Sequence, residues 1–187
     1  MPDVNQAALK AAIGGATQSL EPLRPASPPG EPAGVPVYDL IELFFFAYRD
    51  FVSDPDRILA DFSFGRAHHR VLHFVDRQPG LTIAELLDIL RITKQSLNRV
   101  LKELIETGFV DSRTGTTDRR QRLLFTTQKG HDLALRLARL QAERIERALS
   151  GMEPQVADVA RRFLLAMIDP DDRAHVERLV FGSDPGP

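Results

Sequence analysis

From Val37 onward, apolar residues recur at helical spacing, and the pattern breaks at a few recognisable stops. The stretch VYDLIELFFFAYRDFV carries apolar or aromatic side chains on more than one face of a helix. Such a helix needs more than one packing surface, so it is expected to lie on its own domain and on a second subunit. Asp54 followed by Pro55 reads as an N-cap with proline at the first position of a new helix. FGRAHHRVLHFVDRQPG then brings Ala67, Val71, Leu72, Phe74 and Val75 round at roughly helical spacing until Pro79 and Gly80 stop it. In LTIAELLDIL, Thr82 and Glu85 have the spacing of a capping box, in which hydroxyl and carboxylate satisfy two orphan amides reciprocally. RITK breaks the pattern, and Thr93 caps the next helix. Two short helices joined by a tight turn, the second amphipathic, describe a helix-turn-helix over residues 82–107.

The period then changes. FVDSRTGTTDRRQRLLFTT reads as a strand from Phe109, a polar turn around Gly115 and a second strand ending at Thr126, a hairpin wing over 109–126. Thr127 caps a long helix running to about Leu149, and Gly151 terminates it. At ~1.5 Å per residue that helix reaches roughly 34 Å, more than a small winged domain needs to cover itself, so it is expected to reach a second subunit. EPQVADVARRFLLAMI and DRAHVERLVF supply two further amphipathic helices separated at Pro170. The predicted fold is mainly α with a small β-hairpin wing: a winged helix-turn-helix with N- and C-terminal dimerisation helices. Residues 37–168 form that domain, and 169–187 a C-terminal helix and tail that join the dimer interface. Seven of the 13 prolines fall within residues 1–36, which are therefore expected to form a mobile tail, with a short helix near QAALKAAIGGA left open.

Composition narrows the function. With 187 residues and 43% hydrophobic content, the chain can bury a real core. No run has the apolar length of a membrane span, and no basic stretch followed by an apolar one marks secretion, so a cytoplasmic protein without a membrane partner is expected. The absence of cysteine excludes disulfides, thiolate metal sites and a thiol redox switch within the chain. A formal net charge of −2 means that any case for a polyanionic partner must be local.

That local case lies in the second helix of the pair. Leu97, Val100, Leu101, Leu104 and Ile105 form its expected core stripe, which points Gln95 and Arg99 away from the core with Lys94, Ser96 and Asn98 on the shoulders. Arg can grip guanine bidentately, Gln and Asn can do the same for adenine, and Ser lets the helix approach closely. The N-terminal turn of a recognition helix is what meets the bases. Glu103 and Glu106 are expected to face outward or away from the duplex. Residues 94–122 hold seven cations against four carboxylates, a surplus of three in a chain that is negative overall. Arg113, Arg119, Arg120 and Arg122 flank the glycine-bearing wing tip and suit a narrow minor groove. Asp118 is assigned to orienting Arg120 or Arg113. The bland alternatives are a solvated helix face and an exposed hairpin charged for solubility.

RAHHRVLHF puts His69 and His73 one helical turn apart with His68 adjacent. Two histidines at that spacing can hold a metal, but no clear third ligand stands near in sequence, so no metal or other cofactor is assigned. His68, His69 and His73 are read as buried or partner-bonded, or as bordering an effector pocket. No GxGxxG after a strand, P-loop or GxSxG appears, so no enzyme is expected.

Taken in order, RAHHRVLHFVDRQPGLTIAELLDIL, ITKQSLNRVLKELIETGFVDSR and DRRQRLLFTTQKG resemble the MarR family of winged helix-turn-helix transcriptional regulators. The resemblance covers roughly residues 37–168 and is strongest between Ala67 and Gly130. It implies a dimer with intertwined N- and C-terminal helices and a wing whose Asp-x-Arg pattern falls on Asp118 and Arg120. It also implies, as in many members, a small acidic or aromatic compound bound near the junction of the dimer and DNA-binding parts. The chain departs from the family in its proline-rich start and in lacking the cysteine of the peroxide-sensing members. The expected function is thus a homodimeric, sequence-specific regulator on a pseudo-palindromic operator, modulated by a small-molecule effector. The alternative is a winged-helix ligand-sensing or protein-interaction module without its own operator.

Overall fold

In a computed structural model of the chain, residues 37–115 and 119–182 are described. The expected tail over 1–36, the residues after Gly182 and Asp118 lie outside them.

Among the described residues, seven helices and three strands follow one another as α1 (Tyr38–Ala60), α2 (Arg66–Arg77), β1 (Leu81–Thr82), α3 (Ile83–Leu90), α4 (Lys94–Glu106), β2 (Val110–Thr114), β3 (Arg122–Thr126), α5 (Gln128–Leu149), α6 (Val156–Ala166) and α7 (Pro170–Phe181). The core is a helical wedge closed by the sheet: Val71, Leu72 and Val75 of α2, Leu86 of α3, Leu97, Val100, Leu101 and Leu104 of α4, Leu124 of β3 and Leu137 of α5 are buried together. Burial of each such side chain is worth about 1.5–3 kcal/mol, enough to fix how short helices such as α3 and α4 are rotated.

Local chemistry sets the boundaries. Thr82 Oγ1 accepts from the Glu85 amide at 3.2 Å, and Glu85 Oε2 accepts from the Thr82 amide at 2.8 Å, which completes the expected capping box. The Thr82 amide, and after it the Thr82 hydroxyl, which also donates to Glu85 Oε2 at 2.7 Å, hold the Glu85 carboxyl below its ordinary range. Thr93 Oγ1 accepts from the Ser96 amide at 3.2 Å and starts α4; Thr127 Oγ1 does the same for Gly130 at 3.1 Å and starts α5. Between α3 and α4 the turn is made by Arg91 in the left-handed region, φ 50°.

The structure differs from the sequence expectations in four places. α1 does not restart at Asp54, for Pro55 stands inside one continuous helix. Proline there removes the bond to the carbonyl four residues back, at a cost of about 3 kcal/mol in an isolated helix. Here the ring is fully buried, and Asp54 accepts two bonds from Arg144 of α5 at 2.9 and 2.8 Å, which tie the segment down. The wing is more than a hairpin, because β1 pairs with β3 (Leu81 opposite Leu124) and gives an antiparallel sheet in the order β1-β3-β2. Ile105 is 39% exposed and not part of the core. Eight residues beyond Leu97 it has turned about 80° off the stripe centre, the edge of the buried arc. Pro170 is the first residue of α7 and not a separator before it.

Apolar surface is left uncovered away from this core. Phe44, Phe45 and Phe46 of α1 are 46, 67 and 55% exposed, and Phe163, Leu164 and Met167 at the end of α6 are similarly open. Only the last third of α1, through Val52, Pro55 and Leu59, is buried. Among the described residues, no helix is long and apolar enough to cross a membrane.

The start of α5 packs closely on Phe109, in the short segment between α4 and β2. A Cβ on Gly130 would lie 2.0 Å from the Phe109 carbonyl oxygen. Gly130→Ala must therefore push α5 away from Phe109, and it should lower stability by more than ~2 kcal/mol in urea unfolding; an unchanged midpoint would show that this approach is not structurally required.

Candidate nucleic-acid interface

Burying Leu97, Val100, Leu101 and Leu104 leaves Lys94, Gln95, Asn98 and Arg99 exposed on the outer face of α4. No hydrogen bond or ion pair engages these four among the described residues, so their donors stay available for an outside partner. Ser96 is exposed as well, but its hydroxyl accepts from Thr93 Oγ1 at 2.9 Å and so takes part in the cap. At the far end of the helix, Lys102 pairs with Glu106 at 3.7 Å. The uncommitted donors are therefore gathered in the first turns, where the helix dipole also favours an anion.

Glu103, expected to face outward or away from the duplex, stays partly exposed and is engaged from α2, its Oε2 accepting from His68 Nε2 at 2.7 Å.

The wing follows α4, and its residues Ser112 and Leu124 share a surface groove with Asn98, Leu101, Lys102 and Ile105 of that helix. Arg122 donates to Thr114 Oγ1 at 3.3 Å across the β2–β3 pair, and Arg113 lies over the Phe125 ring at 4.6 Å with Asp111 3.6 Å away. Cation–π stacking and that carboxylate hold the Arg113 guanidinium along the flank of the hairpin. Arg119 and Arg120 occupy the turn at the tip and are exposed. The orienting role expected of Asp118 falls on a residue outside those described.

The three histidines of α2 separate into two environments. His69 and His73 line a cavity of about 350 Å³ together with Tyr48 and Phe51 of α1, Arg66 and Arg70 of α2 and Gln141 of α5. His68 is not among its lining residues; it turns to the other side, towards α4. Burial holds the His69 and His73 imidazoles below their ordinary 6.5; His73 adds to the effect on His69, and Arg77 to that on His73, while Asp56 and Asp76 oppose it. Both rings are thus kept neutral beside two guanidiniums, with aromatic walls. Among the described residues, no three of His, Cys, Asp and Glu converge as a metal site would require.

Sequence reasoning named the exposed donors of α4 and the arginines of the wing as candidates. It missed Tyr48, Arg66, Arg70 and Gln141, which come from three separate helices and carry no local motif. It also missed Lys129, whose ammonium donates to the Thr107 carbonyl at 2.9 Å and lies 4.1 Å over the Phe109 ring, pinning α5 to the exit of α4.

Comparison with known proteins agrees with this fold. A family model described as MarR family matches residues 62–121, from the end of α1 into the wing. The HTH-type transcriptional regulator PetP of Rhodobacter capsulatus is 49% identical over 139 residues, which is 74% of this chain and 84% of that one. Among solved structures, a MarR-family transcriptional regulator from Silicibacter pomeroyi superposes with a TM-score of 0.59 at 20% identity, over 68% of this chain and 86% of that one. FabT of Streptococcus pneumoniae, solved in complex with DNA, superposes with a TM-score of 0.57 at 17% identity, over 70% and 94%. At these identities the two structures establish the fold.

The two depressed histidines give a pH dependence with a definite sign. The unfolded chain takes up protons near 6.5, whereas the folded chain does so only at lower pH. Their contribution to stability is accordingly complete above that value and lost as pH falls through the folded pKa. Urea midpoints should drop between about pH 7 and about pH 5, and the drop should be smaller in a His69→Gln/His73→Gln variant. An equal drop in both proteins would remove these side chains from the effect.

Proposed function

The chain belongs to the MarR family of transcriptional regulators, non-enzymatic DNA-binding proteins, and from that premise we propose that it acts as a homodimer on a pseudo-palindromic operator under the control of a small-molecule effector. Each subunit lays the first turns of α4 in a major groove, with Arg99 and Gln95 at the base edges and Lys94, Ser96 and Asn98 beside them. The wing brings Arg119 and Arg120 to the adjacent minor groove, with Arg113 and Arg122 behind. Two-fold symmetry sets the half-sites about one helical turn apart. The observation that carries this proposal is the set of exposed, unpaired donors at the N-terminal end of α4, a helix followed directly by an arginine-bearing hairpin, in a chain otherwise negative.

Dimerisation is supported by the apolar surface of α1 and α6, where Phe44, Phe45, Phe46 and Phe163 stand 46 to 67% exposed in the single chain. A patch of that kind on a soluble protein marks a partner surface. The effector reading rests on the cavity between α1, α2 and α5, which joins aromatic walls to Arg66 and Arg70. That combination suits a small aromatic or acidic compound. His69 and His73 border it from α2, and the protein works in the cytoplasm, where its DNA lies.

Arg99→Ala should cost roughly 1–3 kcal/mol on operator DNA and relax preference at one base position, whereas Arg122→Ala should weaken operator and scrambled duplexes alike and reduce the salt slope by about one. Equal losses on both duplexes for Arg99 would take it out of base readout. Absence of any salt-sensitive binding to genomic fragments would favour a ligand-sensing or protein-interaction module instead.

A further inference from the structure

We infer that His68 and Glu103 are a positioning pair that sets the tilt of α4 against the corner joining α1 to α2, and that this pair links the cavity on the other side of α2 to the DNA-facing helix. The link, though not the pair, rests on reading that cavity as the effector site.

A single imidazole is used at both nitrogens. His68 Nδ1 accepts from the Gly65 amide at 3.1 Å, which caps α2, and Nε2 meets Glu103 Oε2 at 2.7 Å, 35 residues further along the chain. Accepting at Nδ1 requires the tautomer with its proton on Nε2, so that nitrogen donates to the carboxylate. Hydrogen bonds to an ionised acceptor are among the stronger ones a protein makes. The ring has little freedom to do anything else. It stacks on Phe64 at 4.6 Å with 8° between the planes, and its side chain is only 11% exposed. Phe64 in turn meets Phe109 edge-on at 5.1 Å, and Phe109 leads from α4 into the wing. Moving Glu103 therefore means giving up the bond, the cap of α2 or the stack.

The carboxylate is not shared with the basic groups of its own helix, for Lys102 pairs with Glu106. On α2 the residue after His68 is His69, which lines the cavity beside Arg66 and His73. A shift of α2 forced from the cavity side carries the His68 ring with it, and the ring pulls on α4 through Glu103. Arg99, the exposed donor one turn before Glu103, is re-aimed by the same motion. Glu103 and His68 thereby govern where the base-reading side chains point without touching DNA.

The test combines four single substitutions and two double variants with two readouts. His68→Phe keeps a ring to stack on Phe64 but loses both nitrogens; Glu103→Ala removes the acceptor; Glu103→Gln keeps one for the Nε2 proton. In the full-length, DNA-free protein, amide resonances of residues 94–106 should shift in His68→Phe and Glu103→Ala and stay near their parental positions in Glu103→Gln. Affinity for an operator fragment captured from the genome should fall about tenfold in the first two, no further in the double variant, and stay within about twofold in Glu103→Gln. Unmoved α4 amides in His68→Phe, or additive losses in the double variant, overturn the pair. Filling the cavity with His73→Trp should shift the α4 amides in the parent and leave them unmoved in a Glu103→Ala background; an equal shift in both overturns the link. Because the resonances are read without DNA, a protein that binds no operator contradicts the proposed function while the pair is still decided.

Discussion

The molecule depends on the burial of one narrow stripe. Leu97, Val100, Leu101 and Leu104 of α4 enter a core built by α2, α3, α5 and β3, and the helix can satisfy that core at one rotation only. With four side chains each contributing about 1.5–3 kcal/mol, a rotated helix would forfeit far more than any surface contact could return. The outward direction of Gln95 and Arg99 is thus a consequence of packing. Around this point the rest of the domain is arranged: Thr93 starts the helix, Phe109 closes it, and Gly130 lets α5 pass close enough to fix the wing beside it.

The chain separates two kinds of surface. Around α4 and the wing, cations outnumber carboxylates although the whole molecule is negative. On α1 and α6, by contrast, large aromatic and aliphatic side chains stand in water. A polyanion and a second copy of the chain would be drawn to different faces, so neither partner competes with the other. α2 lies between them. One of its faces meets the cavity under α1, and another meets α4 through His68, so it is the element best placed to report on one partner to the other.

What the sequence made legible was local. Thr82 with Glu85, Thr93 and Thr127 announced their caps because each bond closes within three residues, and the Leu97 stripe announced itself because helix period and burial coincide. The wing was readable from two β-rich runs around a glycine-bearing turn. Long-range chemistry was not readable. His68 and Glu103 stand 35 positions apart, and nothing in either segment names the other. Pro55 carried a local signal for a helix start that tertiary packing overrode, since its ring is buried and Asp54 is held by Arg144, 90 positions away. Two-residue β1 was too short to leave a period, and the cavity draws Tyr48 and Gln141 from helices that only the fold brings together.

The central claim is that two copies of this surface face one duplex together. Hydroxyl-radical footprinting of the full-length protein on a captured genomic fragment tests it most directly. The account predicts two protected patches on one side of the duplex, their centres about one helical turn apart, each flanked by a shorter patch where a wing reaches the minor groove. A single patch, uniform protection along the fragment, or protection distributed without helical phase would contradict it.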